Sequence, residues 1–292
     1  MGEILLNGKV ALVTGAGRGM GREMAVAFAR AGAKGVTVTA AAAADETREE
    51  IEGELAETIA LIEAAGGKGL ALHADILDQA DCEAAVSKTL AAFGGLHILC
   101  NHAGKSQRYH GPRDIPFWET DPDGYRLVMT TNTIGAYLMS RAAVPHLLKN
   151  GWGRIINTSK SLDSMHEAYA GAYGPSKAGV EAESLSWAEE LAGTGVTVNT
   201  IEPGGPVPTR FGRGKVAGAG GLAVNVMVPC ALWLASSESD GINGCRFDAK
   251  AWNPELPPRE AGLACRDVPL FPKPMSRKGS KLDLAWVVPD KI

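Results

Sequence analysis

The feature that most constrains the fold is a glycine-rich turn that joins an apolar strand to a helix. Val10–Thr14 has the short, β-branched composition of a buried strand, and apolar periodicity predicts a helix over Gly19–Ala31. A helix N-terminus offers N–H groups and a positive dipole end to a phosphate, and Cβ atoms in the turn would block a close approach. The turn therefore predicts a dinucleotide site formed by Gly15, Gly17, Arg18, Gly19, Met20 and Gly21.

Strands and helices alternate along the chain as far as about residue 250. The predicted strands are Val10–Thr14, Val36–Ala40, Leu70–Ala74, Leu96–Asn101, Arg154–Thr158, Val196–Ile201 and Cys245–Asp248. The predicted helices are Gly19–Ala31, Glu46–Ala65, Cys82–Phe93, Tyr125–Leu148, Ala172–Leu191 and Leu222–Ala235. Such alternation is typical of βαβ units. It predicts an α/β fold, a single doubly wound Rossmann-type domain with a seven-stranded, mainly parallel sheet between two layers of helices.

The composition changes after Trp252. Residues 253–292 contain seven prolines, at positions 254, 257, 258, 269, 272, 274 and 289. Proline lacks the N–H that helices and sheet ladders need. We therefore expect one domain over residues 1–252, followed by a C-terminal extension over 253–292 with little regular structure.

Composition excludes several classes of function. The net charge is −4, so nothing global favours binding to nucleic acid or to an anionic membrane. No apolar run reaches the 18 or so residues of a membrane span, and the N-terminus lacks the features of a signal peptide. The five cysteines show no CxxC spacing, which favours reduced thiols in the cytoplasm. Neither an HExxH zinc motif nor a GxSxG elbow is present, so we expect no metal and no acyl-transfer chemistry.

The residues after the second strand bear on the choice of dinucleotide. An acid about 20 positions beyond the glycine turn would bond the 2′-hydroxyl of NAD and repel the 2′-phosphate of NADP. The chain has alanines at positions 40–44, and Asp45 lies farther along. Arg18, inside the turn, could face a 2′-phosphate; the alternative is that Arg18 is merely solvated and the alanine run starts a helix. Together these residues slightly favour NADP(H) over NAD(H).

A series of motifs in fixed order resembles the short-chain dehydrogenase/reductase family. The motifs are the TGxxxGxG turn at Thr14–Gly21, Asp75, the run Asn101-His102-Ala103-Gly104, Asn132, Tyr173 with Lys177, and Pro203-Gly204 followed by Thr209. They cover roughly residues 8 to 250. The resemblance implies a nicotinamide-dependent oxidoreductase that acts on a secondary alcohol or its ketone.

The spacing of Tyr173 and Lys177 fits acid–base chemistry. Residues i and i+4 share one face of a helix, so an ammonium would stand beside the phenol and favour phenolate. By resemblance, Tyr173 is the general acid/base, Lys177 also bonds the nicotinamide ribose, and Asn132 holds a relay water. The resemblance also implies that Asp75 borders the adenine and Thr209 holds the carboxamide, with further cofactor contacts from Asn101, Ala103, Gly104, Pro203 and Gly204.

Two positions depart from the family pattern. His102 stands where the family has a second asparagine, and we expect a tolerated substitution rather than a new catalytic group. The catalytic serine usually lies 13 residues before the tyrosine, which is Lys160 here. Ser161 is the expected substitute, since a loop can shift by one residue, and Ser159 is the other neighbour. Lys160 also motivates an alternative hypothesis, a nucleotide-binding protein whose active site has decayed.

The family resemblance also implies self-association. Members commonly pair their long helices into dimers and tetramers. The apolar faces of Tyr125–Leu148 and Ala172–Leu191 would form a homodimer or homotetramer here, although such faces can also pack within one subunit.

Overall fold

Eight strands form one sheet in the computed structural model, which describes residues 5–43, 46–112, 114–212 and 221–270. The strands are β1 Val10–Thr14, β2 Gly35–Ala40, β3 Gly69–His73, β4 Ile98–Asn101, β5 Gly153–Thr158, β6 Val196–Glu202, β7 Arg246–Asp248 and β8 Arg266–Asp267. Their order is β3-β2-β1-β4-β5-β6-β7-β8, and all pairs are parallel except β7 with β8. The order reverses between β1 and β4, which is where open α/β sheets form their ligand crevice.

Nine α-helices lie among the described residues, and most of them connect the strands. They are α1 Gly19–Arg30, α2 Arg48–Ala64, α3 Gln79–Phe93, α4 Pro122–Asn132, α5 Ile134–Lys149, α6 Leu162–Met165, α7 Tyr173–Glu190, α8 Val228–Ala235 and α9 Pro258–Ala264. Every residue of β1, β4, β5 and β6 is buried, because helices cover both faces of the sheet. One core layer contains Phe28 and Trp233, and the other contains Leu99 and Leu147. The predicted doubly wound α/β fold is confirmed.

The strand count and the C-terminal boundary differ from the prediction. The sheet has an eighth strand, and Pro258 begins helix α9 within the segment expected to lack regular structure. Proline is tolerated in the first turn of a helix, because the N–H groups there have no partner inside the helix. The segment therefore contains one short helix and one short strand, and residues 271–292 lie outside the described residues.

Two predicted helices are shorter or divided. The stretch Tyr125–Leu148 is split at Thr133, whose hydroxyl donates to the carbonyl of Met129 at 2.7 Å. Such bonds from a helical threonine compete with the backbone ladder and bend helices. The helix predicted from Leu222 begins only at Val228, next to Pro229 in its first turn.

Candidate active site

The glycine turn forms the floor of the crevice at the carboxyl end of β1. A Cβ at Gly15 would lie 2.7 Å from the Cα of Ala103, and one at Gly21 would lie 2.4 Å from the carbonyl of Gly15. These two glycines are therefore required by contacts within the protein. Gly19 has a φ of +59°, which favours glycine for its backbone conformation. Helix α1 begins there with no side-chain cap and no acid in its first turn, so its N-terminus suits a diphosphate.

Two arginines and two glutamates meet beside this turn. Arg18 pairs with Glu46 at 2.5 Å and with Glu54 at 2.6 Å. Arg210, from the segment after β6, reaches the same carboxylates at 3.3 and 2.5 Å. Glu46 also accepts the N–H of Ala43 at 3.1 Å, which puts the cluster at the end of β2. Arg18 thus lies where a ribose-reading residue is expected, but it is already neutralised by two acids.

The contacts of His102 hold neighbouring strands together. Its Nδ1 lies 3.0 Å from the hydroxyl of Thr158, and its backbone N–H donates to the hydroxyl of Thr14 at 3.0 Å. Burial, with the nearby Lys177 ammonium, lowers the pKa of His102 to about 4. The imidazole is therefore neutral at physiological pH and braces β1 against β5.

The other motif residues along this edge are fixed by hydrogen bonds. Asn101 donates to Ser140 at 2.9 Å and to Asn157 at 2.8 Å, linking β4 to β5 and α5. Asp75 follows β3 and accepts the N–H of Leu77 at 2.9 Å, so it closes a local turn. The N-cap of α3 is Asp78, three residues later.

Tyr173 and Lys177 occupy the first turns of α7, as their spacing predicts. The Lys177 ammonium lies 5.9 Å from the centre of the Tyr173 ring and donates to the carbonyl of Thr158 at 2.8 Å. The ring of Phe211 lies 5.5 Å away and covers Tyr173 from the segment after β6. Among the described residues the pair therefore lies between β5 and the loop that follows β6.

The electrostatics of this pair differ from the expectation that the ammonium favours phenolate. Burial, together with the charge of Glu202, raises the pKa of Tyr173 above its ordinary value. Burial also lowers the pKa of Lys177 to about 8, although Glu181 opposes the shift. Desolvation is the largest effect on both groups, since Lys177 is buried and Tyr173 is partly buried. Tyr173 is therefore a protonated phenol at neutral pH.

Asn132 ends α4 and braces the loop after β4. Its amide accepts the N–H of Lys105 at 2.7 Å and donates to the Lys105 carbonyl at 2.9 Å and to Ser176 at 2.8 Å. A Cβ at Gly104 would lie 2.9 Å from its Oδ1, so the glycine is needed for this contact. Asn132 thereby ties the loop to the helix that carries Tyr173.

The turn after β5 contains the two candidates for the serine role and the lysine between them. Ser159 is buried, and its hydroxyl faces the Arg246 guanidinium at 3.4 Å. The Lys160 ammonium lies 5.7 Å from the Tyr173 ring centre and donates to the carbonyl of Ser164. Ser161 caps α6, with its hydroxyl 2.8 Å from that of Ser164. Of the two serines, only Ser161 is part-exposed.

The segment after β6 closes the other side of the crevice. Gly204, which follows Pro203, has a φ of +83°, and its N–H donates to Glu202 at 2.7 Å. The Thr209 methyl group would lie 3.5 Å from a Cβ at Gly19, so the threonine stands over the start of α1. Residues 213–220, which continue this segment, lie outside the described residues.

Sequence reasoning missed three residues near the site. Glu202 raises the pKa of Tyr173, Arg246 holds the turn after β5, and His110 accepts the N–H of Ala172 at 3.4 Å directly before Tyr173. None belongs to a motif of the series. A charged residue at the end of one predicted strand and inside another was the available signal for Glu202 and Arg246, because charged residues are buried only when paired.

The described residues lack both a metal-binding cluster and a membrane-spanning helix. They contain no group of three or more His, Cys, Asp or Glu that could hold a metal ion. None of their helices has the length and apolar character needed to cross a bilayer.

Comparison with known proteins identifies the family. A model described as short chain dehydrogenase matches residues 9–217. The chain is 31% identical to an Arabidopsis thaliana protein named NADPH-dependent aldehyde reductase-like protein, chloroplastic, over 82% of this chain and 92% of the relative. It is 38% identical to the 2,5-dichloro-2,5-cyclohexadiene-1,4-diol dehydrogenase LinX of Sphingobium indicum, over 68% of this chain and 74% of the relative.

A solved structure agrees with this assignment. The short chain dehydrogenase from Mycobacterium paratuberculosis bound to NAD superposes with a TM-score of 0.74 at 27% identity, over 85% of this chain and 98% of that one. The protein described here belongs to the short-chain dehydrogenase/reductase family of oxidoreductases.

Proposed function

We propose that this chain transfers a hydride between a nicotinamide dinucleotide and a secondary alcohol or its ketone. The observation that carries the proposal is the placement of Tyr173 and Lys177 on one face of α7, covered by Phe211. A protonated phenol in a water-poor crevice is suited to donate a proton to a carbonyl oxygen.

The cofactor would lie across the carboxyl edge of the sheet. Its diphosphate would meet the uncapped N-terminus of α1 and the turn formed by Gly15, Gly17, Gly19, Met20 and Gly21. Asp75 would border the adenine, Lys177 would bond the nicotinamide ribose, and Thr209 would hold the carboxamide. Asn101, Ala103, Gly104, Pro203 and Gly204 would line the path between them. When bound, the nicotinamide supplies or accepts the hydride.

Tyr173 would move the proton. In the reductive direction its phenol donates to the carbonyl oxygen, and the ammonium of Lys177 stabilises the phenolate that remains. In the oxidative direction the phenolate takes the proton of the alcohol. Asn132 would support the proton relay through its bonds to Lys105 and Ser176.

Ser161 would orient the substrate oxygen. Its hydroxyl can both donate and accept, whereas the Lys160 ammonium can only donate. Ser159 is unsuited to this role because its buried hydroxyl faces Arg246.

We propose a modest preference for NADP(H). Two guanidinium groups, Arg18 and Arg210, lie at the end of β2 and favour a 2′-phosphate. Glu46 and Glu54 oppose it, because a phosphate must compete with both carboxylates for the same arginines. One relative is named for NADPH and one structural neighbour holds NAD, so the family accepts either cofactor.

The test is a fluorescence titration with NADPH and NADH, followed by a panel of ketones and secondary alcohols with the preferred cofactor. We expect turnover, a fall in kcat of about 100-fold or more for Tyr173→Phe, and a clear fall for Ser161→Ala. Tyr169→Phe is the matched control, since Tyr169 is an exposed tyrosine and loses the same hydroxyl. Full turnover by Tyr173→Phe would refute the mechanism.

Lys160 favours a second candidate, a nucleotide-binding protein without turnover. The family's serine position is occupied by a lysine, and Ser159 is turned into the core. Tight cofactor binding with no activity across the panel would favour this function over the first.

We also propose a homodimer or homotetramer in a reducing compartment such as the cytoplasm. Ile134 and Tyr137, three residues apart on α5, are 45% and 42% exposed, which is typical of a surface that a second copy covers. The five cysteines are all buried free thiols. Light scattering should give a mass of two or four chains, and Ile134→Lys should lower it.

A further inference from the structure

The guanidinium of Arg246 is buried and has a partner in every direction of its five N–H groups. Its side chain is only 1% exposed, although it arises from the last parallel strand of the sheet. A guanidinium has five N–H groups, and five acceptors surround this one. The acceptors are the carboxylates of Glu181, Glu202 at 3.3 Å and Asp267 at 2.9 Å, the carbonyl of Lys160 at 2.7 Å and the hydroxyl of Ser159 at 3.4 Å.

Two of these acceptors belong to the turn that follows β5. Arg246 holds the turn at Ser159 and Lys160, one residue before Ser161. The same turn is held at Ser159 by the Ile201 carbonyl at 2.8 Å, and at Thr158 by Lys177 at 2.8 Å. Arg246 therefore fixes the backbone of this turn from its buried side. The same backbone carries Lys160 and Ser161 at the crevice.

Each carboxylate around Arg246 comes from a different element. Glu181 lies on α7 and also accepts the hydroxyl of Thr200 at 3.0 Å. Glu202 ends β6 and also accepts the N–H of Gly204. Asp267 lies on β8, which pairs antiparallel with β7 through the register Arg246 with Asp267. Three carboxylates surround one guanidinium, so the loss of one acid leaves the charge of Arg246 compensated but removes a contact that fixes its orientation.

Asp267 lies outside the part of the chain that matches the family model, which ends at residue 217. Of the three acids it is the most exposed, at 32%, whereas Glu181 and Glu202 are each 4% exposed. Its position depends on β8, a two-residue strand that follows α9. Arg246 thus links β8 to the turn after β5, because it contacts Asp267 on the strand and Ser159 and Lys160 in the turn.

We propose that Arg246 is a positioning residue for the turn 159–161, and that Asp267 from the C-terminal segment completes this role. The catalytic part of the proposal rests on the function proposed above. The structural part does not, because it concerns the order of the turn itself.

The experiment compares Asp267→Asn with a control variant near the amino end of β5. Arg154, at the start of β5, is also buried and pairs with Asp240, which is 59% exposed. Asp240→Asn therefore also removes a part-exposed carboxylate from a buried arginine, but that arginine has no contact with the turn 159–161 among the described residues. Both variants are measured for kcat, KM, cofactor affinity, Tm and amide hydrogen exchange of residues 158–166.

For Asp267→Asn we expect kcat to fall about tenfold with cofactor affinity unchanged, since small displacements of positioned groups cost this much or more. Amide exchange in the turn should become faster. Asp267→Glu should restore part of the lost kcat and part of the lost protection from exchange. Asp240→Asn should lower Tm and leave kcat and the exchange of the turn unchanged.

Equal kcat and equal exchange of the turn in the two Asn variants would overturn the proposal. If the unsubstituted protein turns over no substrate, the proposed function fails, and the exchange comparison still decides whether Arg246 and Asp267 order the turn. Arg246→Lys is a second variant, which keeps the charge and loses the forked contacts.

Discussion

The proton chemistry of Tyr173 is set by its immediate surroundings. Lys177 lies close enough to stabilise a phenolate, but burial and Glu202 raise the pKa of the phenol. The resting site therefore holds a neutral proton donor beside an ammonium whose own pKa burial lowers to about 8. The lysine is the group of this pair that titrates near physiological pH.

The first prediction concerns the alkaline pH dependence of carbonyl reduction. Lys177 is protonated below its pKa, so kcat should be constant at lower pH and fall as the pH rises through about 8. Arginine keeps its charge at this pH, so in Lys177→Arg the fall should move to higher pH, even if the rate is lower. Steady-state rates from pH 6 to 10 measure this.

Lys149→Arg is the control, because Lys149 is an exposed lysine on α5. It should leave the profile unchanged. An unmoved alkaline fall in Lys177→Arg would mean that another group titrates there.

At the scale of elements, helix α7 carries both the Tyr173–Lys177 pair and a carboxyl group, that of Glu183, with a buried oxygen that is unpartnered in the described part of the chain. Glu183 lies two turns beyond Lys177, and its Oε2 is buried with no hydrogen-bond partner among the described residues. Burial raises the pKa of Glu183 to about 7 from an ordinary value of 4.5. The helix therefore carries a carboxylate that the fold tolerates better when it is protonated.

The second prediction is that Glu183→Gln stabilises the protein at pH 8 and not at pH 4.5. A carboxyl whose pKa is higher in the folded state contributes stability below the unfolded pKa, and this is lost as the pH rises through 7. Because Glu183 is partly exposed, solvent screening reduces the gain to about 1 kcal/mol. Urea denaturation at the two pH values measures the difference.

Glu189→Gln is the matched control, since Glu189 is an exposed glutamate on the same helix. Its effect should be small at both pH values. A gain for Glu183→Gln that is independent of pH would contradict the electrostatic explanation.

At the scale of the whole molecule, the crevice is closed by elements from both halves of the sheet. Arg210, after β6, pairs with Glu54 on α2, although the two residues are 156 positions apart in the chain. Ser106, after β4, donates to the carbonyl of Phe211 at 3.0 Å. The segment after β6 thus spans the crevice from the end of β2 to Tyr173, over the proposed cofactor path.

The third prediction is that Glu46→Gln strengthens binding of NADPH relative to NADH by about tenfold. It removes one carboxylate that competes with the 2′-phosphate for Arg18 and Arg210, at distances where charges interact strongly. Fluorescence titration of both cofactors measures the ratio. The gain should shrink at high salt, because the ions screen a partly exposed site.

Glu52→Gln is the control, because it removes a carboxylate of α2 that pairs with Arg48 and not with Arg18 or Arg210. It should leave the cofactor ratio unchanged. An equal gain for NADH and NADPH in Glu46→Gln would rule out a role in reading the 2′-phosphate.

The sequence by itself determined the doubly wound fold, the glycine turn and the pairing of Tyr173 with Lys177. Each of these depends on the spacing of residues close together in the chain, and hydrophobic periodicity and helical geometry predict structure from such spacing. It also predicted seven strands, whereas the described residues form eight, and it gave no sign that Pro258 begins a helix that leads to the eighth strand. A proline count does not distinguish a broken helix from the start of one.

Only the tertiary structure decided the charges around the site. Arg18 looked available for a phosphate, yet Glu46 and Glu54 neutralise it from 28 and 36 residues away. Arg246 meets Glu181 and Lys160 from 65 and 86 residues away, and no local pattern records such a pair. Ionic contacts and pKa values depend on distance in space and on burial, and both are set when the strands assemble.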